Sequence, residues 1–306
     1  MIGFDGKQEC YRSDGRSGYS VHTFSLVACD LATGEAGIAV ASKFLAVGAI
    51  VPWALPNVGV LALQANVDVA HGPRGLDLMR GGCSASEAIG LLLHEDVGGP
   101  GRQIAAVDSK GRAAAYTGEA CSGWAGHRVG ATYSCQGNLL AGDMVVSAMA
   151  REFERSEGDL SLRLLAGLSA ADAAGGDRRG KQSAALLVVG KGRGYGGGDQ
   201  RINLRVDDSP EPVAELIRLH QLHMLYFGTS PAIDRLQLQG VTLERLQRIM
   251  REVGTYSGAI TGLMDRDTLD QLEHFVNAEN FEMRVNFEDQ TIDRPAYEHL
   301  VARFLA

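Results

Sequence analysis

Only five of the 39 glycines (Gly228, Gly240, Gly254, Gly258 and Gly262) lie beyond residue 206. Glycine enters the left-handed backbone of tight turns without a Cβ clash. The first two-thirds of the chain is therefore built for many reversals, and the last third is not. The segments between the turns suit strands. TFSLVAC and AGIAVAS, joined by DLATGE, read as a hairpin. So do QIAAVDSKGRAAAYTG, turning at Ser109-Lys110-Gly111, and SAALLVV with INLRVD across GKGRGYGGG. VGVLALQA is a further strand. Helices alternate with these pairs. Ser84 and Glu87 stand at capping-box spacing ahead of Ile89, Leu92 and Leu93 on one helical face. GDMVVSAMAREFERSE and DLSLRLLAGLSAADAA form a helical pair, and PEPVAELIRLHQLHMLYF closes the region. Hairpin-joined strands interspersed with helices predict an α+β fold of antiparallel sheets covered by helices, not a doubly wound parallel sheet. Beyond FGTSP, the segments LERLQRIMREVG, RDTLDQLEHFVNAEN and TIDRPAYEHLVARFL repeat apolar residues at helical spacing and predict a small helical module.

Charge and cysteine usage remove several classes of function. A formal charge of −8 argues against nucleic acid as a partner, because backbone binding needs a basic face. No apolar run reaches the roughly 18 residues of a membrane span. Five cysteines form an odd set without a CxxC pair, which argues against a disulfide framework and a thiolate zinc site. A reducing, cytoplasmic setting is the simpler expectation. Residues 1–21 are polar and rich in Gly and Ser, with no apolar signal core. They are expected to be a flexible leader, an extension, or the product of a misplaced start.

Two glycine-rich loops imitate nucleotide motifs. Gly192, Gly194 and Gly197 have G-x-G-x-x-G spacing after a strand, but strand-like RINLRVD follows where a helix would have to meet a pyrophosphate. GGDRRGKQS places Gly175, Gly180 and Lys181 as a phosphate loop would, yet Gln182 replaces the magnesium-binding hydroxyl and the order is helix, loop, strand. Asp177, Arg178, Arg179 and Lys181 in that loop read either as a solvated surface or as the carboxylate- or carbonyl-binding edge of a pocket. Trp124 and His127 in CSGWAGH line a pocket or anchor a loop. His220 and His223 share a helix face without a third ligand, so neither a metal nor a cofactor is expected. No G-x-S-x-G elbow occurs. Thr23, heading TFSLVAC, is by propensity alone an ordinary strand residue.

Several segments read together change that view. HTFSLVACDLATGEAGIAVASKFLAVGAIVPWA, HGPRGLDLMRGG, AAAYTGEAC, WAGH, QGNLLAG, GGDRRGKQSAALLVV and NLRVDD resemble, in order, an uncharacterised bacterial family, domain of unknown function 1028. That family is assigned to the N-terminal nucleophile (Ntn) hydrolase superfamily. The resemblance covers residues 22–229 and implies a four-layer αββα sandwich of two antiparallel sheets. LERLQRIMREVGTYSGAITGLMDRDTLDQLEHF, within residues 235–306, resembles a peptidoglycan-binding module. The superfamily resemblance implies that Thr23 is a nucleophile whose own α-amine, with an ordinary pKa of about 8, is the base. Lys43, following the strand partnered with Thr23's, would depress that amine by like-charge repulsion. Asn66 would help stabilise the oxyanion. Asp177, Arg178, Arg179 and His127 would bind the substrate, an amide of a small molecule or peptide.

One obstacle is chemical. While Thr23 follows His22 in peptide linkage its nitrogen is an amide, with no basic lone pair. The mechanism requires a break before Thr23. The rival expectation is a non-catalytic binding or assembly protein that uses the C-terminal module to engage a cell-wall glycan or a protein. Homo-oligomerisation is compatible with either reading.

Overall fold

The computed structural model describes residues 19–94, 96–228 and 234–305. Most of the leader, residues 1–18, lies outside the described residues. The chain divides into one compact unit ending at Ile217 and a second beginning at Arg218.

The first unit is the expected αββα sandwich. One sheet is built from β1 (Tyr19–Val21), β4 (Pro52–Leu55), β5 (Gly59–Val67), β6 (Arg102–Asp108) and β7 (Ala113–Thr117), all antiparallel. Strands β1 and β4 share one edge of β5, β4 pairing with Gly59–Ala62 and β1 with Ala65–Val67. The second sheet runs β11-β10-β3-β2-β9-β8, from β2 (Thr23–Asp30), β3 (Glu35–Ser42), β8 (Trp124–Val129), β9 (Tyr133–Leu140), β10 (Ser183–Val189) and β11 (Gln200–Val206). Helices α1 (His71–Arg80) and α2 (Ala85–Leu93) cover the first sheet; α3 (Asp143–Arg155) and α4 (Leu160–Ala173) cover the second. The Ser84–Glu87 capping box forms as expected. Helix α5 (Pro212–Phe227) contains the boundary between the units.

Alternation along the strands separates the layers. On β2, Leu26 faces α4 at Gly167, while Ser25 reaches Gln64 of the opposite sheet. Thr23, Ser25, Val27 and Cys29 therefore share the inter-sheet face. That face is apolar at Val27, Cys29, Ile38 and Val40 and becomes polar toward Thr23. His22 joins β1 of one sheet to β2 of the other, so a single residue carries the chain across the sandwich.

The second unit has α6 (Gly240–Glu252), α7 (Arg266–Ala278) and α8 (Arg294–Phe304) around Leu243, Leu246, Leu272, Phe275 and Leu300. Gln247, fully buried, accepts the backbone N–H groups of Thr261 and Gly262 at 3.0 Å each and so pins the YSGAITG loop. A small sheet of β12 (Arg235–Gln237), β13 (Val285–Asn286) and β14 (Thr291–Asp293) accompanies the helices, an addition to the expected helical module. Strands of two or three residues are too short for an alternating pattern to register.

Two further expectations need correcting. Tyr19–Val21, expected within the flexible leader, is a strand whose three residues pair with β5. CSGWAGH, expected as a loop, supplies most of edge strand β8, where a register shift between Trp124 and Gly126 breaks the alternation. No described helix is long and apolar enough to cross a membrane.

Close approach at Gly167 holds α4 to its sheet. A Cβ there would stand 2.8 Å from Leu26 Cδ2 and 3.1 Å from the Met149 carbonyl oxygen. Gly167→Ala is expected to destabilise the protein by about 1–3 kcal/mol, the usual cost of overpacking, read as a lower urea midpoint at unchanged slope.

Candidate active site

Thr23 heads β2 opposite Ser42 of β3. It is fully buried, and its hydroxyl has no hydrogen-bond partner among the described residues. The carbonyl just before it is strongly held. Ser42 Oγ donates to the His22 oxygen at 2.6 Å, and Arg179 Nη2 donates to the same oxygen at 3.1 Å. A cation and a hydroxyl thus converge on the carbonyl of the His22–Thr23 peptide bond, where they withdraw electron density from its carbon.

The GGDRRGK loop delivers Arg179. Its backbone is tied to the end of β9 through Arg178 N–H to the Leu139 carbonyl and Ala141 N–H to the Gly176 carbonyl, both at 3.1 Å. Asp177, expected at a substrate-binding edge, is buried. It accepts Arg179 Nε and Nη2 at 3.0 and 2.7 Å and the backbone N–H groups of Arg179 and Lys43 at 3.0 Å each. With its lone pairs engaged, Asp177 acts on the carbonyl only through the guanidinium it orients. Lys181 bridges Asp172 at 2.8 Å and Glu211 at 2.7 Å, and those hydrogen bonds raise its pKa. It fastens the loop to its surroundings.

Beneath Thr23 the two sheets are joined by side-chain amides. Gln103 is fully buried; its Nε2 faces the Gly137 carbonyl at 2.8 Å, Thr117 Oγ1 at 2.9 Å and the Gly126 carbonyl at 3.2 Å. Its Oε1 accepts Gln64 Nε2 at 2.7 Å and Asn138 Nδ2 at 2.9 Å. Gln64 Oε1 accepts from Ser25, which accepts from Gln136 Nε2, and Gln64 Nε2 also approaches the Thr23 carbonyl at 3.4 Å. Asn138 Oδ1 lies 2.7 Å from His22 Nδ1. Thr117 Oγ1, which accepts from Gln103 Nε2, also shares a hydrogen bond with His127 Nδ1 at 2.8 Å. Burial lowers the pKa of both His22 and His127 below the ordinary 6.5, against a smaller opposing effect of the Asn138 hydrogen bond on His22.

Backbone strain accompanies this network. Ala65 (φ 63°) and Leu139 (φ 54°) are left-handed non-glycine residues inside strands, one in each sheet, and each directly follows a network amide, Gln64 or Asn138. Such residues cost about 1–3 kcal/mol each and persist where the surroundings over-determine them. The kink at Ala65 also interrupts side-chain alternation. Asn66, which would otherwise share the inward face with Gln64, is exposed against Gly101, and its carbonyl accepts Arg102 Nη1 at 2.6 Å.

The structure thus brings Thr23, Asp177, Arg179 and the Lys43 backbone together around one peptide bond. His127 joins at the far side of Gln103. The Lys43, Asn66 and Arg178 residues are exposed. Sequence reasoning missed Ser42, Gln64, Gln103, Gln136 and Asn138. Their signal is polar residues at inward positions of otherwise apolar strands, as in VLALQANV and RQIAAVD.

None of the curated proteins matches the chain. Residues 23–216 match the family model described as a family of unknown function, DUF1028. The chain belongs to the domain of unknown function 1028 family. A crystal structure of protein SPO2555 from Silicibacter pomeroyi, titled with the same family, is 34% identical to it. That match has a TM-score of 0.62 and covers 70% of this chain and 89% of that one. In this family member the matched region opens at Thr23, the residue whose preceding carbonyl is gripped. Residues 230–300 match a second model, described as "Putative peptidoglycan binding domain".

Two outcomes follow from the network. Gln103→Leu, which strands Gln64, Asn138 and Thr117 together, is expected to cost about 3 kcal/mol or more in urea unfolding, each orphaned buried group contributing about 1–3. His22, His71 and His127 are all held below 6.5, chiefly by burial. The unfolded chain therefore takes up these protons first, so their contribution is complete above 6.5 and is lost as pH falls through the folded values. The urea midpoint should be lower at pH 5 than at pH 7.5, and the drop should shrink in a His22→Gln, His127→Gln double variant.

Proposed function

We propose that this chain is the precursor of an amidohydrolase whose nucleophile is Thr23, released when the His22–Thr23 bond is cut. The observation that carries the reading is the His22 carbonyl, which accepts from Ser42 Oγ and Arg179 Nη2 beside the buried Thr23 hydroxyl, which has no partner among the described residues. In the cleavage, Thr23 Oγ1 attacks the His22 carbonyl carbon. The developing oxyanion stays on the oxygen that Ser42 and Arg179 already hold. The C–N bond breaks as the nitrogen takes a proton, leaving an ester that water hydrolyses. The product is a threonine with a free α-amine.

That amine then serves as the base for the Thr23 hydroxyl in attack on an amide of a small molecule or peptide. The Arg179 guanidinium, beside the former His22 carbonyl, disfavours the protonated amine and keeps it below its ordinary pKa of about 8. Lys43, one residue beyond the register partner of Thr23, adds positive charge at the same strand end. Exposed Arg178, with Asn66 and His127, is available to a polar or acidic substrate. The second unit is read as the adaptor that carries this domain to cell-wall glycan. Synthesis in a reducing cytoplasm accords with Cys29, Cys83, Cys121 and Cys135 all being free thiols.

A non-catalytic scaffold is the second reading, and β1 favours it: its pairing with β5 holds residues 19–21 in the sheet and keeps Thr23 sealed. Intact-mass spectrometry during incubation separates the two. Loss of residues 1–22 is expected in the wild type and absent in Thr23→Ala. Ser42→Ala, lacking one oxyanion donor, should slow it about 100-fold. A wild-type chain that keeps its leader throughout would leave the scaffold reading standing. Co-sedimentation of the full chain with purified peptidoglycan is the check on the adaptor, with binding expected.

A further inference from the structure

We propose that Ser20, His22 and Asn138 form a serine acyl-transfer centre in the uncleaved chain, one that takes activated esters and fluorophosphonates. Ser20 Oγ lies 3.0 Å from His22 Nε2, and His22 Nδ1 lies 2.7 Å from Asn138 Oδ1. That is the order of nucleophile, base and orienting group found in hydroxyl-based acyl transfer. Ser20 is exposed, while Asn138 is fully buried. An electrophile can reach the hydroxyl, and the group that orients the base is held rigidly.

Proton positions follow from the deep end of the network. The Gly126 and Gly137 carbonyls can only accept, so the nitrogen of the Gln103 amide faces them and its oxygen faces Asn138. Asn138 therefore donates through Nδ2 and presents Oδ1 to His22. Nδ1 of His22 must then carry the ring proton, which leaves the Nε2 lone pair directed at the Ser20 hydroxyl. Burial, aided by the Arg179 charge and opposed by the Asn138 hydrogen bond and the Asp177 charge, holds the pKa of this imidazole below 6.5. Asn66, the register partner of Ser20 between β1 and β5, is exposed and carries N–H donors for an oxyanion.

The reaction balances without a co-reactant beyond water. Ser20 Oγ bonds to the acyl carbon as its proton passes to His22 Nε2. The ester C–O bond breaks, and the alcohol leaves with that proton. Water then attacks the acyl-serine, giving one proton to His22 and through it back to Ser20.

The centre exists only while residues 20–22 remain attached, so the test uses the full chain carrying Thr23→Ala, which blocks the cleavage proposed above. The chain is treated with a fluorophosphonate and mapped by peptide mass spectrometry. A single adduct on Ser20 is expected, its rate rising to a plateau above a midpoint below pH 6.5. Ser20→Ala should abolish the adduct, and His22→Gln should slow it at least 100-fold. Asn138→Leu should slow it about 10-fold and shift the midpoint, with Asn138→Asp restoring the rate. No adduct at Ser20, or one forming equally fast at pH 5 and pH 8, overturns the proposal; the pH profile needs no substitution at His22 or Asn138. Leader removal in the wild type is measured separately, so either result can fail without the other.

Discussion

The side-chain amide of Gln103 holds the polar end of the sandwich together. It is buried between two sheets, and every hydrogen-bonding position it has is used. An amide in that setting has one acceptable orientation, because a flip would set its oxygen against two carbonyls and its nitrogen against two other amide nitrogens. From that orientation the directions of Gln64 and Asn138 follow, and from that of Asn138 the tautomer of His22. A single buried group thus sets the tautomer of the histidine that joins β1 to β2.

This end of the fold differs from the rest because it is not held by apolar contact. Along β2 the inward face changes from Cys29 and Val27 to Ser25 and Thr23, and hydrogen bonds replace packing as the means of joining the sheets. Desolvated amides are stabilising only when fully paired. Left-handed Ala65 and Leu139 are the backbone's accommodation to that requirement, one beside each of two network amides. The Asp177–Arg179 pair extends the arrangement to the surface and brings a cation to the His22–Thr23 peptide bond, where the chain passes from one sheet to the other. Polar pairing, backbone strain and positive charge all meet at the junction between β1 and β2.

Much of the architecture was legible in the residues. Hairpins at 23–42 and 183–206 and the helices 85–93, 143–155 and 160–173 follow from turn residues and periodicity. The same local logic rejected the GKGRGYGGG and GGDRRGK loops as nucleotide sites, since a strand follows each. The site was less legible. Thr23 and Arg179 stood out through resemblance, but Ser42 looked like the polar end of a strand, and Gln103 like an isolated polar residue in one. Their meaning depends on partners 20 to 35 residues away in sequence or more, such as Ser42 with His22 and Gln103 with Asn138.

The sequence alone determined the helices and the hairpin strands of residues 23–42, 102–117 and 183–206, that these strands pair antiparallel, that glycine-rich turns end near residue 206, and that the family resemblance begins at residue 22. These are local properties, set by backbone conformation, side-chain period and turn chemistry within a few residues. Only the tertiary structure decided that His22 bridges the two sheets, that its carbonyl receives Ser42 and Arg179, and that Asp177 is buried against Arg179 and the Lys43 backbone. Side-chain direction at the end of a strand depends on kinks such as the one at Ala65, and a hydrogen bond between sheets exists only once both have been brought to their packing distance.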